Sequence, residues 1–518
     1  MRYLAIALLY SALPLYAANV TILVSPFQNT GNAKFSWISA GMTDTVINDL
    51  ARIKDINIVS DNDRAKVLKE ITLGQSGLIS DETVARVGKI IGANIILTGS
   101  YLVVGDKIRA VARLISVETG KTEKSTKVDG SVDALFDLQD KIVLSLMAEI
   151  EKVDLRNIAR IAFQDADKRR VSEKQRPKAL AFEWYARGLE VKYSDPNSAL
   201  TCYKKAIELD PAYLDALREA GYLLGNTLDI YGEALDYLLK AEEIFRLRKA
   251  MDTIEYVNVA HFIGVTYNNA GQYDKALGAL LRAKAIGEKI GAQNSFFYFR
   301  LTKDIGLFYR TRGEFKLALK NYAKSEEVAQ KSEFQNSYDY ARLLTSAGIC
   351  HVYMKQYRES LENLTKSLAL YEKLGFGKTD NSSTTITYIG ITYMKKGDTD
   401  LALEYMLKAK DIRDKLGINN STQAGLLLNI GNAYFQKGKA DLALEYFTKA
   451  KELYEKGGNQ KTIGYAELLS DMAAYYEKSE NPQLAAEYFR KSFEIYDKAS
   501  YAGEAKANAR NNALRLGS

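Results

Sequence analysis

Residues 263–285 read IGVTYNNAGQYDKALGALLRAKA, and the chain returns to nearly the same phrase several times. Gly264 is followed by Tyr267, Gly271, Ala276, Leu280 and Ala283. With the first of these as a marker, the same place falls at Gly306, Gly348, Gly390 and Gly431, and finally at Ala473, at intervals of 42, 42, 42, 41 and 42. Gly221 stands 43 residues upstream of Gly264. Three residues after the marker the chain has Tyr, or His351 once; twelve after it has Ala, or Ser360 once. Sixteen after it come Leu280, Tyr322, Leu364, Met406, Phe447 and Phe489, and nineteen after it always Ala or Ser. The marker and the residue three later share one helix face. Gly271, Gly313, Gly397 and Gly438 then stop that helix. A second helix follows, with small and large residues at i, i+4 and i+7, so that two backbones approach closely. One such hairpin cannot bury its apolar face alone, which is why it must be repeated and stacked.

The pattern G-x2-Y-x3-G-x4-A-x3-[LFYM]-x2-[AS] resembles the tetratricopeptide repeat, whose usual unit is ~34 residues. The longer unit is similar to the extended form of kinesin light chain-like and peptide-pheromone receptor-like arrays. Two degenerate units precede the regular ones. SALTCYKKAIELDPAY (198–213) holds Ala199, Tyr203, Ala206 and Pro211, and EALDYLLKAEEI holds Ala234, Leu238 and Ala241. About eight units are therefore expected over 179–500, with 501–518 as a C-terminal tail. The resemblance implies an all-α right-handed superhelix with a concave recognition surface.

The N-terminal part reads differently. MRYLAIALLYSALPLYA has one early charge, Arg2, then an apolar run, Pro14 and small residues, the layout of a signal peptide over 1–17. Export to a bacterial periplasm is expected, without a lipid anchor, since no Cys lies near the cut. The two cysteines, Cys202 and Cys350, are expected to be free and buried. Beyond the leader, VTILV reads as a buried strand, 36–53 as a helix and INIVS as a strand. Short helices are expected near 61–71 and 80–91. NIILTGSYLVV and KIRAVARLISV alternate as a hairpin about Gly105-Asp106, TEKSTKVDG follows as a third strand, and a helix closes the segment from Asp133 to about Lys152.

This order, with the phrases PFQN, GMTDTVINDL, IGANIILTGSY and ARLISVETGK, resembles the amino-terminal domain of the translocation protein TolB and the periplasmic domain of the curli secretion channel protein. The resemblance implies a mixed α/β domain over 18–152, used for protein contacts at the cell envelope. No lipid-bearing Cys or membrane-inserting hairpin matches the curli channel, which puts pore formation in doubt. Residues 153–178 read as a charged helical linker. The fold class is thus α+β multidomain: a small mixed α/β domain followed by an all-α array.

Composition narrows the function. The chain has 518 residues, 47% hydrophobic and 26% charged, with six Pro and a formal charge of +7. No Lys/Arg block forms a basic arm, so no nucleic-acid partner is expected. TGKT at 119–122 and GKT at 377–379 echo a phosphate loop, but Ile115 and Glu372 stand where its first Gly must be. Of the two histidines, His351 takes the Tyr place of its repeat and His261 has no neighbour at metal-ligand spacing. No nucleophile elbow occurs. No enzyme activity, metal or cofactor is expected.

What remains is a groove. Residues six and three before the marker, and one and four after it, share one face of each first helix. The candidates are Asn258, His261 and Asn268, then Arg300, Lys303 and Arg310, then Arg342, and later Asn432. Amides can bind a peptide backbone and Arg a carboxylate. The family's two-carboxylate clamp for chaperone tails is not reproduced, because Leu307 stands where its Asn should be. The expected function is a secreted, non-enzymatic scaffold that binds a peptide or partner helix in the concave groove. The alternative is an envelope assembly or secretion factor that works by self-association of the N-terminal domain into a homo-oligomer, with peripheral envelope contacts.

Overall fold

The computed structural model describes residues 20–53, 56–59, 88, 92–153, 163–172, 176–331, 334–498 and 504–517. The leader expected over 1–17 lies outside them, as do, but for residue 88, the helices expected near 61–71 and 80–91. Two compact units result, 1–340 and 341–518.

Unit 1 begins with a mixed sheet. Strands β1 (Val20–Val24), β2 (Gln28–Asn29), β3 (Ile56–Ile58), β4 (Ile95–Val104), β5 (Lys107–Ser116) and β6 (Thr122–Ser131) run in the order β3-β1-β4-β5-β6, with β2 beside β4. β1 is parallel to β3 and β4, whereas β4, β5 and β6 form an antiparallel meander. Its first turn uses Gly105 at φ 65°. On β5, Ile108, Ala110, Ala112 and Leu114 are buried while Lys107, Arg109 and Arg113 are exposed. That alternation leaves one sheet face to solvent. The other packs on α1 (Trp37–Ala51) and α2 (Leu135–Ile150), where Tyr101 donates from its buried ring to the Phe35 carbonyl at 2.8 Å. A short helix, α3 (Asp165–Ser172), lies within the expected linker.

The same unit continues into four hairpins: α4 (Ala179–Val191) with α5 (Pro196–Leu209), α6 (Leu214–Asn226) with α7 (Tyr231–Leu247), α8 (Ile254–Asn269) with α9 (Tyr273–Lys289), and α10 (Phe296–Thr311) with α11 (Phe315–Lys331). The α/β domain sits directly against the first of them. Gly41 on α1 has no side chain because a Cβ there would lie 2.8 Å from the Phe182 ring and 3.0 Å from Ala186 Cβ on α4. Trp37 and Phe136 meet the Phe182 ring edge-on, at 6.3 and 5.1 Å between centroids. Tyr185 on α4 donates to Asp44 at 2.9 Å. Burial pushes the Asp44 carboxyl up to about 7, with Asp215 and Glu219 adding to the rise and Arg218 and Lys192 opposing it.

In unit 2, α12 (Tyr338–Tyr353, which starts at the unit boundary) pairs with α13 (Tyr357–Lys373), α14 (Asp380–Lys396) with α15 (Thr399–Lys415), α16 (Ser421–Gln436) with α17 (Ala440–Lys456), and α18 (Ile463–Lys478) with α19 (Pro482–Lys498). A last helix, α20 (Glu504–Gly517), follows. The stretch expected as a tail is therefore folded. Ala505, Ala509 and Ala513 make a one-sided stripe, and the fully buried Ala509 joins Phe489 and Tyr496 in a small core.

The marker glycine has a steric cause in both units. A Cβ would fall 2.6 Å from Leu280 at Gly264, 2.4 Å from Tyr322 at Gly306, 2.6 Å from Leu364 at Gly348, 2.7 Å from Met406 at Gly390 and 2.6 Å from Phe447 at Gly431. Each of these is the large residue sixteen positions on. The small residue at nineteen has a second use where it is Ser. Ser325, Ser367 and Ser492 donate to the carbonyls of Phe299, Ala341 and Ala466, at 2.8, 2.7 and 2.7 Å, each seven residues before its marker.

Two further periodic features emerge. Thr253, Ser295, Ser337, Thr379, Asn420 and Thr462, all eleven before the marker, accept from the backbone N–H three residues on and cap the first helix of the last six hairpins. Tyr256, Tyr298, Tyr340 and Tyr465, eight before it, donate to Glu242, Glu288, Glu326 and Glu455 on the preceding second helix. These bonds stitch four of the hairpins to the helix before; Ser382 and Gln423 hold the place in two others. Both cysteines are free; Cys350 is buried, but Cys202 is only half-buried on α5 and not enclosed as expected.

Candidate functional site

The first-helix stripe divides between the two units. In unit 1, Asn258 and His261 on α8 are buried, while Asn268, Arg300 and Arg310 are half-buried. His261 Nε2 lies 2.8 Å from Asp304 Oδ2 on α10. Lys303 Nζ, 6% exposed, lies 2.6 Å from Asp339 Oδ1 and 3.9 Å from Asp304 Oδ1. Burial alone would raise the Asp304 carboxyl, but Lys303 and the His261 hydrogen bond hold it well below the usual carboxylate range. Lys303 was expected to line the groove as a ligand contact. Its ammonium is instead enclosed between two aspartates of this chain, because a desolvated cation must be paired. His261 is likewise committed to Asp304. No group of His, Cys, Asp and Glu suited to a metal ion occurs among the described residues.

In unit 2, Arg342 is half-buried on α12, and the stripe beyond it opens into a groove of about 700 Å³. Its floor is apolar: Ile391 and Met394 from α14 and Leu428 from α16. Asn429 and Asn432 of α16 stand beside it, with Tyr388 from α14 and Tyr454 from α17. Glu467, Ser470 and Asp471 of α18 form one wall, and Ala505, Asn508 and Ala509 of α20 line it further along. Lys355 and Lys395 also reach it. Val352, Ile391, Met394, Leu428 and Asn432 obey the spacing derived from the marker. Thr345 and Thr387 obey it too but are not among the residues lining the groove; Thr345 is bonded to Ser367 and Thr385 at 2.8 Å each.

Glu467 and Ser470 sit six and three before Ala473. The same spacing applied to the last repeat, whose marker is Ala and not Gly, names both. Asp471 falls outside it and is revealed only by its bond from Asn432 Nδ2, at 2.6 Å. Burial pushes Asp471 up to about 6, against the opposing pull of that hydrogen bond and of Lys395. Glu467, one turn away, is raised by burial and by the Asp471 charge, with Lys395 opposing. Neither carboxylate forms an ion pair among the described residues. The arrangement suits recognition: an apolar floor for side chains, amides for a backbone, and charge at its walls.

The repeats and the N-terminal domain both have relatives. The tetratricopeptide repeat family matches residues 298–373, 381–456 and 422–498, and the family described as the curli production assembly/transport component CsgG matches 10–132. Among curated proteins none matches the chain. Among solved structures, a Rap protein complexed with competence and sporulation factor is 15% identical, with a TM-score of 0.48 over 72% of this chain and 96% of that one. The apo form of RapI is 18% identical, with a TM-score of 0.45 over 70% and 94%. The Cut9 and Hcn1 hetero-tetramer of the APC/C gives 15% and 0.45 over 74% and 62%.

Proposed function

We propose, from a chain that carries tetratricopeptide repeats behind a CsgG-like N-terminal domain, that this protein is a non-enzymatic scaffold for protein contacts. The groove of residues 341–518 takes an extended segment or a helix of a partner, whose apolar side chains rest on Ile391, Met394 and Leu428. The observation that carries this is the concave apolar floor flanked by Asn429, Asn432 and two carboxylates without an ion-pair partner. Half-buried Arg342 on α12 stays a candidate contact within unit 2, and half-buried Arg300 and Arg310 on α10 stay separate candidates within unit 1. We place the mature chain, after loss of residues 1–17, at the cell envelope, in keeping with the description of the CsgG family. Among the described residues no helix is long and apolar enough to cross a membrane.

A photo-crosslinking residue in place of Asn429, compared with one at exposed Lys408 outside the groove, tests the reading in the producing cell. Partner adducts are expected at 429 and are expected to vanish when Leu428→Arg blocks the floor. Equal adducts at both positions, or adducts indifferent to the block, would count against it.

A second reading, self-association through the N-terminal domain, rests on the β4–β5 hairpin, where Leu102 and Val104 are 40% and 67% exposed. Light scattering of the full chain with and without Val104→Asp checks it. A strict monomer at high concentration rules it out.

A further inference from the structure

The groove of unit 2 gathers its two acids, Glu467 and Asp471, on one helix, while its two cations, Lys355 and Lys395, come from other elements, and that separation selects a ligand. Glu467 and Asp471 stand four residues apart on α18, on one helix face. Asp471 is bonded to Asn432, a neutral amide, at 2.6 Å. Lys395 on α14 is close enough to act on both carboxylates through space, yet forms no ion pair with either among the described residues. Tyr454 on α17 faces Glu467, and its phenol is pushed up to about 12 by burial and then by that carboxylate. The lining residues of α19 and α20 (Phe489, Tyr496, Ala505, Asn508 and Ala509) bring no charge. The two acids, Asp471 half-buried and Glu467 exposed, thus share a trough with Lys355 and Lys395, neither of which pairs with them among the described residues. A carboxylate in that position is stabilised by a donor that carries positive charge.

We propose that the groove seats an apolar segment bearing a Lys or Arg side chain, whose cation lies between Glu467 and Asp471 while the flanking apolar residues cover Ile391, Met394 and Leu428. This rests on the groove being the binding surface, and adds to it the chemistry of the partner. The cation completes the pairing that Lys395 leaves open. An acidic segment is rejected, because it brings a third negative charge to the same wall. Binding weakens as pH falls through about 6, where Asp471 takes up its proton.

The test uses the full-length chain and three end-capped, fluorescein-labelled, Leu- and Ala-rich peptides, identical except for two central residues that are Lys, Gln or Glu. Fluorescence anisotropy should rank them Lys, then Gln, then Glu. Glu467→Gln with Asp471→Asn should weaken the Lys peptide roughly tenfold and the Gln peptide much less. Lys395→Gln should tighten the Lys peptide, which a merely structural role for the acids would not produce. If the three peptides bind alike and the charge variants change nothing, the cation reading is overturned while the groove stands. If none binds, or Leu428→Arg fails to abolish binding, both fall. Self-association of the peptide-free chain, abolished by the same Glu467 and Asp471 changes, would make a second copy the occupant and also overturn the proposal.

Discussion

Gly306→Ala tests the central steric argument with a single methyl group. The new Cβ would lie 2.4 Å from Tyr322 Cε1 and 2.5 Å from Cδ1. Carbon atoms rest at about 3.5–4.0 Å, so α10 and the Tyr322 ring must separate by more than about 1 Å. Tyr322 is 2% exposed and has no room to swing outward. Overpacking of this kind costs about 1–3 kcal/mol. Alanine returns about 1 kcal/mol of helix propensity. The net expectation is destabilisation of up to about 2 kcal/mol, against a gain of about 1 kcal/mol at an uncrowded glycine. Gly278, exposed in the middle of α9 with nothing within 4 Å of its would-be Cβ, is the matched control. Gly278→Ala should stabilise by about 1 kcal/mol, from propensity alone. Native-state amide exchange, read on α10 and α11 for the first and on α9 for the second, resolves the local free energies. In a Tyr322→Ala background the penalty of Gly306→Ala should disappear, as a double-mutant cycle requires of two groups in contact. If Gly306→Ala stabilises the chain as Gly278→Ala does, the marker glycine is not a close-packing device and the explanation of the period fails.

Three other outcomes are expected. Lys303→Met should destabilise unit 1 by about 3–5 kcal/mol in urea unfolding, because Asp339 and Asp304 would be left buried without their cation. Arg413, 3% exposed, donates to Asp380, Ser383 and Thr384 of α14 and to the Thr422 carbonyl of α16, so Arg413→Met should cost unit 2 roughly 2–4 kcal/mol and speed exchange at the first turns of both helices. Asp471→Asn should stabilise unit 2 at pH 8 by about 1–2 kcal/mol, after discount for solvent in the groove. The sign follows from its raised carboxyl: wild type is free of penalty below about 3.8, acquires one as the pH rises to about 6, and bears it fully above. Denaturation midpoints of the two forms should therefore converge near pH 4.

The array was legible in the sequence because its period is written in residue types that have no substitute. Glycine recurs where a Cβ would strike the residue sixteen on, and Ala or Ser recurs where two helices touch. The sheet was legible for a similar reason, since β5 alternates cleanly and Gly105 marks its turn. The caps at Thr253, Ser295 and Ser337 and the tyrosines eight before the marker obey the same period. They escaped attention because Ser, Thr and Tyr are common enough to pass as surface. The site was less legible. A stripe drawn from helix geometry says which side chains share a face, but not which neighbouring helix supplies their partners. Asp339, the partner of Lys303, is 36 residues away at a position of no periodic meaning. Asp471 drew no notice among 64 acidic residues. The terminal helix was missed because its alanine stripe is diluted by Lys506, Arg510 and three asparagines.

The seating of α1 on α4 has a bearing on how the chain can be cut. Phe182 and Tyr185 belong to the first hairpin, yet the rings and polar groups that cover them, Trp37, Phe136 and Asp44, come from the sheet domain. A solenoid normally ends in a cap with a polar outer side. Here that duty falls to a whole domain, so the boundary suggested by the linker is not a seam at which the protein parts. A fragment beginning at 179 would start on raw aromatic surface, and would need either a designed terminal helix or new polar residues at 182 and 185 to stay in solution.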